Sequence, residues 1–343
     1  MDMAALAEKN KREKEKEQKV DELVDQLLEL LEHPDAPKIE KLVTHKFPDD
    51  DSLLCLWMAK KFIPRTSKAE IVFVNAGELL PGSAGNPAIL HFDTGNAEFD
   101  HHSNGRYQTC SAMLLAEKLG RQNDPGLAPL LEMATAVDSV QEISYTSIHF
   151  IIEGLPRECK HPDNSVDWTT VIQEVFRMFN IIYGQAISRA EAAKAYKEHA
   201  QVTKLPNGIK ACFLPGIPQG RNAAFKDGAH VVIWTQHRKD PEDKSQMLLY
   251  VGIQINRHSP HILLDYVAAA LRFAEAKKRQ IKVKGRLDYT GEGISWFLHP
   301  SKKLILHGSR TSVPAKEIRT LLTPTEIPGI VHNILKRIPA NTV

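Results

Sequence analysis

Three consecutive aspartates, Asp49, Asp50 and Asp51, follow a β-rich run and a histidine in the stretch THKFPDDDSLL. Carboxylates this close together repel one another, which is unfavourable in a folded protein unless a cation lies among them. More residues that can bind a cation follow later β-rich runs. In chain order the candidate ligands are His45, Asp49, Asp51, Asp93, His101 and Asp138, and the neighbours Asp100 and His102 complete an Asp-His-His triplet around His101.

Imidazole nitrogens together with carboxylate oxygens suit manganese, magnesium, iron or zinc, and an oxygen-rich set favours the first two. No cysteine belongs to the predicted set. One bridging carboxylate with two or three further ligands per ion makes a two-metal site, with ions roughly 3.5–4 Å apart, suited to in-line displacement at phosphorus by water. We therefore expect two divalent metal ions, with Mn²⁺ preferred and Mg²⁺ as the alternative.

Each of these residues also has an ordinary structural interpretation. Asp49 and Asp50 can cap a helix that begins near Ser52, which is a common use of aspartate. Asp93 precedes a Thr-Gly pair, which is typical of turns. The metal-site hypothesis therefore depends on the whole set, because the same ligand types recur at the ends of successive predicted strands.

Short β-rich runs alternate with helical runs from residue 39 to about residue 155. The β-rich runs are KLVTH, EIVFVNAG and AILHFDTG, and the helical runs are SLLCLWMAKKF, TCSAMLLAEKLG and LAPLLEMATAVDS. This alternation predicts a parallel sheet covered by helices. Ligand sites in such sheets lie beyond the carboxyl ends of the strands, which is where the candidate ligands fall.

Later strand candidates have few helices between them: IKACFLPG, HVVIWTQH, QMLLYVGIQIN, ISWFLHP and KLILHGS. Helices are expected near 260–279, with Ser259 as N-cap and Pro260 in the first turn, and near 315–338. The sequence thus predicts an α/β protein, with a parallel-sheet N-terminal domain and a smaller α+β C-terminal domain. The expected divisions are a charged amphipathic helix at 1–38, a metal-binding catalytic domain at 39–160, a helical connector at 161–204 and a substrate-binding domain at 205–343.

The first 33 residues carry an apolar stripe with helical spacing. Such a helix either docks on its own chain or pairs with a second copy, so a homodimer is one expectation. The widely spaced cysteines favour a reducing compartment, and neither an export signal nor a long apolar span is recognisable. We expect a cytoplasmic protein without a membrane partner. A net charge of +2 neither indicates nor excludes a polyanionic partner.

The ordered set of candidate ligands over about residues 39–140 resembles the four motifs of the DHH phosphoesterase superfamily. That superfamily includes RecJ-type exonucleases, oligoribonucleases, cyclic-dinucleotide phosphodiesterases and family II inorganic pyrophosphatases. The stretches FDTGNAEFDHHSNG and KHPDNSVDW are also similar to segments of the melanocyte-proliferating-gene family of metal-dependent exonucleases. The first motif, THKFPDDDSLL, instead follows the pyrophosphatase and RecJ form.

The resemblance implies a metal-dependent phosphoesterase that acts as a 3′–5′ exonuclease on RNA or short oligonucleotides. It also implies that His102 faces the substrate phosphate and that Asp100 orients a ligand imidazole. The implied metal ligands are His45 and Asp49 for one ion, Asp51, His101 and Asp138 for the other, and Asp93 as the bridge.

In that superfamily a smaller C-terminal domain supplies substrate contacts, and two stretches here are candidates. NRHSP places Arg257 and His258 before the expected helix start, where free amides favour a phosphate. LHGSRTS contributes His307, Gly308, Ser309 and Arg310. Each of these two stretches could equally be an ordinary loop. Separately, the basic run KKRQIKVKGR at 277–286 could contact a nucleic-acid backbone or could be an ordinary surface segment.

The sequence leaves two other functions open. One keeps the metals but takes a small substrate, as an inorganic pyrophosphatase or a cyclic-dinucleotide phosphodiesterase does. The other is a non-catalytic nucleotide or metal sensor. A complete ligand set favours an enzyme, since a binding module does not need every one of these ligands.

Overall fold

The computed structural model describes residues 38–104, 108–241, 243–259, 261–281, 296–308, 313–315 and 319–339. The chain divides into two compact units, the first ending at Ile187 and the second beginning at Ser188. The amphipathic helix expected at 1–38 lies outside the described residues, apart from Lys38. The four-part division drawn from the sequence stays a prediction. In the described ranges, no helix is long and apolar enough to cross a membrane.

The first unit contains a three-stranded sheet in which all strands run parallel. Its strands are β1 (Lys41–His45), β2 (Glu70–Val74) and β3 (Ile89–His91), in the order β2-β1-β3. Each strand lies within a run that the sequence predicts. In the register, Val43 of β1 is opposite Val72 and His91. The carboxyl ends of β1 and β3 therefore lie side by side.

Helices share one apolar core with this sheet. They are α1 (Asp50–Phe62), α2 (Ser111–Lys118), α3 (Ala128–Asp138), α4 (Ile148–Glu158) and α5 (Trp168–His199), with a short 3₁₀ turn at His101–Asn104. Helices α1 to α3 match the predicted runs. Helix α4 is not predicted, because Gly154 and Pro156 disfavour a helix, although Ile152 buries its side chain in the core.

Helix α1 is the centre of the first core. All residues from Asp50 to Ala59 are buried, and a helix buried around its whole circumference is typical of the middle of a domain. The indole of Trp57 donates a hydrogen bond to Asn180 of α5 (3.2 Å) and makes an edge contact with Phe179. This packing holds the first turn of α1, with its acidic residues, in a fixed place.

The second unit contains a six-stranded mixed sheet in the order β4-β5-β6-β7-β9-β8. Only β5 and β6 are parallel, and the other neighbours are antiparallel. The strands are β4 (Gln201–Lys204), β5 (Lys210–Pro215), β6 (Val231–Lys239), β7 (Met247–Ile255), β8 (Phe297–Leu298) and β9 (Leu304–His307). The helices are α6 (Arg221–Lys226), α7 (Asp265–Lys278) and α8 (Glu326–Leu335), with a 3₁₀ turn at Pro218–Gly220.

Strand β6 illustrates how this sheet is covered on both faces. Val231 and Ile233 belong to an apolar cluster that includes α7 and α8, whereas Val232 and Trp234 belong to a second cluster that includes α6. This alternation follows from the two-residue repeat of a strand. Gly252 on β7 is required because a Cβ there would overlap the Trp234 ring.

Three expectations for the second half of the chain are wrong in their boundaries. Helix α7 begins at Asp265 rather than near 260, and Ser259 lies in a turn, where its amide donates to the Asn256 carbonyl (2.9 Å). The connector expected at 161–204 stops being helical at His199, since β4 pairs with β5. Helix α8 covers only part of the run expected at 315–338, because Leu321 lies outside any helix and donates its amide to buried Glu275 (2.8 Å).

Candidate metal centre

The carboxyl ends of β1 and β3 bring the first two candidate ligands together. His45 is the last residue of β1 and Asp93 follows β3, and the His45 Nε2 and Asp93 Oδ2 atoms are 3.2 Å apart. Asp49 is the N-cap of α1 and forms a capping box with Ser52, which is its ordinary structural role. Its Oδ2 also lies 3.9 Å from His45 Nε2. Asp49 therefore combines a cap with a position suited to a metal ligand.

Asp93 occupies the middle of the cluster. Its Oδ2 faces His45, while its Oδ1 lies 3.4 Å from His101 Nδ1 and 3.7 Å from His102 Nε2. The residue is buried and has a φ of 53°. Few residues other than glycine adopt this left-handed conformation, although aspartate does so more readily than most. Such strained residues are concentrated at functional sites.

The beginning of α2 closes the cluster from the other side. The Asp51 carboxylate accepts hydrogen bonds from the amides of Ser111 (2.7 Å) and Ala112 (2.8 Å), the first residues of α2. The Ser111 hydroxyl donates to Asp93 Oδ1 (3.1 Å) and lies 3.1 Å from His101 Nδ1. Ser111 was not among the predicted residues, yet it connects the bridging candidate with the first histidine of the triplet.

A second group of candidate ligands includes a cysteine. One side-chain atom from each of Asp51, Cys110 and Asp138 lies within 4.8 Å of the others. Asp138 Oδ2 is 3.9 Å from His101 Nε2 and is a buried atom without a hydrogen-bond partner. Asp138 also ends α3, where the helix dipole disfavours a carboxylate. The set expected from the sequence contains no thiol, whereas the structure places the Cys110 sulfur as close as the carboxylates.

The pKa values of these groups depend on their burial and on one another. Burial, and then the charge of Asp93, raises the pKa of Asp51 to about 7. Burial, and then the charge of Asp51, raises the pKa of Asp138 to about 9. The hydrogen bond to Asp93 raises the pKa of His45 to about 9. Burial alone would raise the pKa of Asp93, but hydrogen bonds from His101 and His45 lower it.

This donor set fits divalent cations. Three groups of ligand atoms, two of which share Asp93, are close enough to hold a cation. The orphaned Asp138 oxygen and the raised carboxylate pKa values mark positions where positive charge is favourable. A cation there would favour the deprotonated carboxylates. The groups are His45, Asp49 and Asp93; Asp93, His101 and His102; and Asp51, Cys110 and Asp138.

The other two residues of the Asp-His-His triplet have distinct surroundings. The Asp100 carboxylate accepts hydrogen bonds from the amides of Asn96 (2.8 Å) and His102 (3.0 Å), so it fixes the loop that carries the histidines. The His102 side chain is 63% exposed, which leaves it accessible to a ligand from solvent. Its ring lies 3.9 Å from that of His101, measured between centroids.

The half-buried His149 and the buried Asp50, a pair also absent from the predicted set, support the acidic turn. His149 Nδ1 on α4 lies 2.7 Å from Asp50 Oδ2. Burial raises the pKa of Asp50, while the hydrogen bond from His149 acts against this rise. Asp50 belongs to none of the ligand groups and attaches α1 to α4. No pattern in the sequence indicates this pair, since α4 itself was not predicted.

Removing this partner should destabilise the first unit. In His149→Ala the buried Asp50 carboxylate loses its partner, so we expect the free energy of unfolding to fall by roughly 3 kcal/mol, as for other broken buried pairs. Chemical denaturation measures this change. His161→Ala is the matched control, because the His161 side chain is 52% exposed and should change stability little. Equal effects of the two substitutions would contradict the proposed support.

The residues predicted to contact substrate lie in the second unit. His307 is buried, and its Nε2 accepts a hydrogen bond from the Thr320 amide (3.0 Å), which is a role in the fold. Gly308 has a φ of 77°, and a Cβ there would lie 2.7 Å from the Tyr250 ring, so packing accounts for the glycine. Ser309 and Arg310 lie outside the described residues.

The remaining substrate candidates differ in their accessibility. Arg257 and His258 are exposed and line a groove in the second unit. In the basic run, Lys278 pairs with Glu326 (2.7 Å) and Arg279 pairs with Glu275 (3.0 Å). These two cations stabilise the fold, and most of the remaining run lies outside the described residues.

Comparison with known proteins gives one family match. The family described as ChrB, C-terminal domain, matches residues 42–185, a range that contains every candidate metal ligand. No curated protein matches the chain.

Two solved structures resemble the chain weakly. One is a DHH domain from a member of a family of ribosomal proteins, with 12% identity, a TM-score of 0.29, and coverage of 88% of this chain and 87% of that chain. The other is an exopolyphosphatase-related protein from Bacteroides fragilis, with 11% identity, a TM-score of 0.22, and coverage of 92% and 96%. Likenesses this weak establish neither a common fold nor a common activity.

Proposed function

We propose that this chain is a phosphoesterase that depends on divalent metal ions. The observation that carries the proposal is the position of Asp93, whose Oδ2 faces His45 and whose Oδ1 faces His101 and His102. A carboxylate that offers its two oxygens to different ligand groups is suited to bridge two ions. The DHH-type motif order in the sequence supports the same interpretation.

In this proposal the ligand groups divide between two ions. His45 and Asp49 would hold one ion together with Asp93. Asp51, His101 and Asp138 would hold the other, and the exposed His102 would face the substrate phosphate. Ions bound in this way would polarise phosphoryl oxygens and lower the pKa of bound water. Asp100, through its hydrogen bonds to the loop backbone, keeps both histidines in position.

Cys110 gives this centre a donor that prefers softer metals. Thiolates favour zinc and iron over magnesium, so Cys110 would favour zinc or iron over Mg²⁺ in the ion position beside Asp51 and Asp138. Burial raises the pKa of the Cys110 thiol, and a bound cation would lower it, because a coordinating thiol is deprotonated.

Cobalt substitution tests whether Cys110 binds the metal. The protein loaded with Co²⁺ should show a sulfur-to-cobalt charge-transfer band in the near ultraviolet, and Cys110→Ser should lose it. Cys159→Ser is the matched control, since Cys159 is outside the three ligand groups and its loss should leave the band unchanged. If Cys110→Ser retains the band, Cys110 is not a ligand.

For the substrate we propose RNA or short oligonucleotides, cleaved from the 3′ end, as the motif resemblance implies. Pyrophosphate and cyclic dinucleotides are the alternatives. The whole 343-residue chain with added Mn²⁺ should be assayed in parallel on a labelled oligoribonucleotide, pyrophosphate and a cyclic dinucleotide. We expect metal-dependent release of mononucleotides from the oligoribonucleotide. Turnover of pyrophosphate or the cyclic dinucleotide alone would replace this substrate assignment, and no turnover of any of them would overturn the enzymatic proposal.

A further inference from the structure

A groove in the second unit has the features of a binding site, and none of its lining residues is among those proposed to hold metal. It has a volume of about 760 Å³, which is within the range of about 300–1,000 Å³ typical of ligand pockets. We propose that it binds a small phosphorylated ligand of nucleotide size. Its lining residues come from the end of α5, from α6 with the turn before it, and from the end of β7 with the turn after it.

The charge of the groove favours an anion. Arg189, Lys226 and Arg257 line it together with His258, and no carboxylate is among its described lining residues. In the part of the chain that the structure describes, none of the three cations forms an ion pair with Asp or Glu. Unpaired cations that converge on one concave surface are suited to phosphate oxygens.

Hydrogen bonds hold the rim of the groove in place before any ligand arrives. The Asn256 amide group donates to the Ala229 carbonyl (3.0 Å), and its Oδ1 accepts from the His258 amide (3.1 Å). Arg257 donates from Nε to His258 Nε2 (2.9 Å), which leaves the terminal nitrogens of its guanidinium for a ligand. A site fixed in this way loses less conformational entropy on binding.

The remaining lining residues suit the organic part of a nucleotide. Ala193, Ala223 and the half-buried Phe225 provide apolar surface, and an aromatic ring offers a base a surface for stacking. Side-chain amides of Gln219, Asn222 and Gln254 line the same groove and can donate to or accept from the heteroatoms of a base or a sugar. Inorganic phosphate would use only the cationic part.

All lining residues belong to the second unit, and none belongs to the candidate ligand groups. Binding in the groove is therefore expected without divalent metal. This separates the inference from the proposed catalytic function, because either one can fail while the other holds.

Calorimetric titration of the full chain in EDTA tests the inference. The probes are 5′-AMP, adenosine and inorganic phosphate. We expect saturable binding of 5′-AMP, with binding of adenosine and phosphate weaker by about 10-fold or more, because each lacks one half of the contacts. Arg257→Ala and Arg189→Ala should each weaken binding of 5′-AMP by about 10-fold, the effect of one charged hydrogen bond. Their cations come from separate elements, so at least one variant is expected to keep its fold.

Arg337→Ala is the matched control, since Arg337 is exposed on the same unit and is absent from the groove. It should bind 5′-AMP as the unchanged protein does. Three results would overturn the inference: no saturable binding of 5′-AMP, equal binding of adenosine or phosphate, or binding that a folded Arg257→Ala or Arg189→Ala variant fully retains.

Discussion

The Asp93→Asn variant is expected to lose both metal binding and metal-dependent hydrolysis. The carboxylate oxygens of Asp93 lie 3.2 Å from His45 Nε2 and 3.4 Å from His101 Nδ1, so both ion positions depend on them in the proposed centre. An amide offers one neutral oxygen in place of two that share a negative charge. Removing a residue that only supports a metal ligand lowers metal affinity or activity by about 10–100-fold. Because Asp93 is itself a proposed ligand, we expect kcat/KM to fall by at least about 100-fold.

Asparagine is chosen because it tolerates the left-handed backbone that Asp93 adopts, with a φ of 53°. The variant should therefore remain folded, and circular dichroism and thermal unfolding check this. Glu153→Gln also removes one negative charge from the first unit, at an exposed position outside the ligand groups, and should retain metal content and turnover. Metal content is measured after dialysis, independently of activity. A folded Asp93→Asn variant with full metal content and turnover would refute the bridging role.

The part of the fold that positions these residues could be predicted from the sequence. Strands β1 to β3 and helices α1 to α3 appear in the chain as short periodic runs with clear breaks, and parallel strands bring the residues after them to one edge. His45 at the end of β1 and Asp93 after β3 could therefore be expected to meet. Asp49 and Asp138 could be placed at helix ends by the same patterns.

The residues that were missed depend on contacts distant in the chain. Cys110 precedes α2 and Ser111 begins it, and nothing in the sequence distinguishes them from ordinary residues at a helix start. They join the candidate centre only because Asp51, some 60 positions earlier, lies next to them in the fold. His149 lies on α4, whose Gly154 and Pro156 conceal the helical pattern. The start of α7 was misplaced because a Ser-Pro pair is a common helix signal. Here Ser259 instead closes a turn through Arg257 and His258, with its amide bonded to the Asn256 carbonyl.

The thermal stability of the metal-free protein is expected to fall as the pH rises from about 7 to about 9. Folding raises the pKa of His45 from 6.5 to about 9 and that of Asp138 from 3.8 to about 9. In this window both groups hold protons in the folded state that the unfolded chain has released. Each such proton lowers the free energy of unfolding by about 1.4 kcal/mol per pH unit. Asp93, whose pKa is lowered, has the opposite effect, but only in acid.

Divalent metal should reverse this trend, because the ligands must release these protons before they bind a cation. The rise in Tm on adding Mn²⁺ should therefore be larger at about pH 8.5 than at about pH 6, and scanning calorimetry in EDTA and in Mn²⁺ measures both series. Asp138→Asn should flatten the metal-free decline, since the amide has no proton to release. If the metal-free Tm stays constant or rises between about pH 7 and about pH 9, Asp138 and His45 do not keep their protons in the folded state, and their pKa values are not raised.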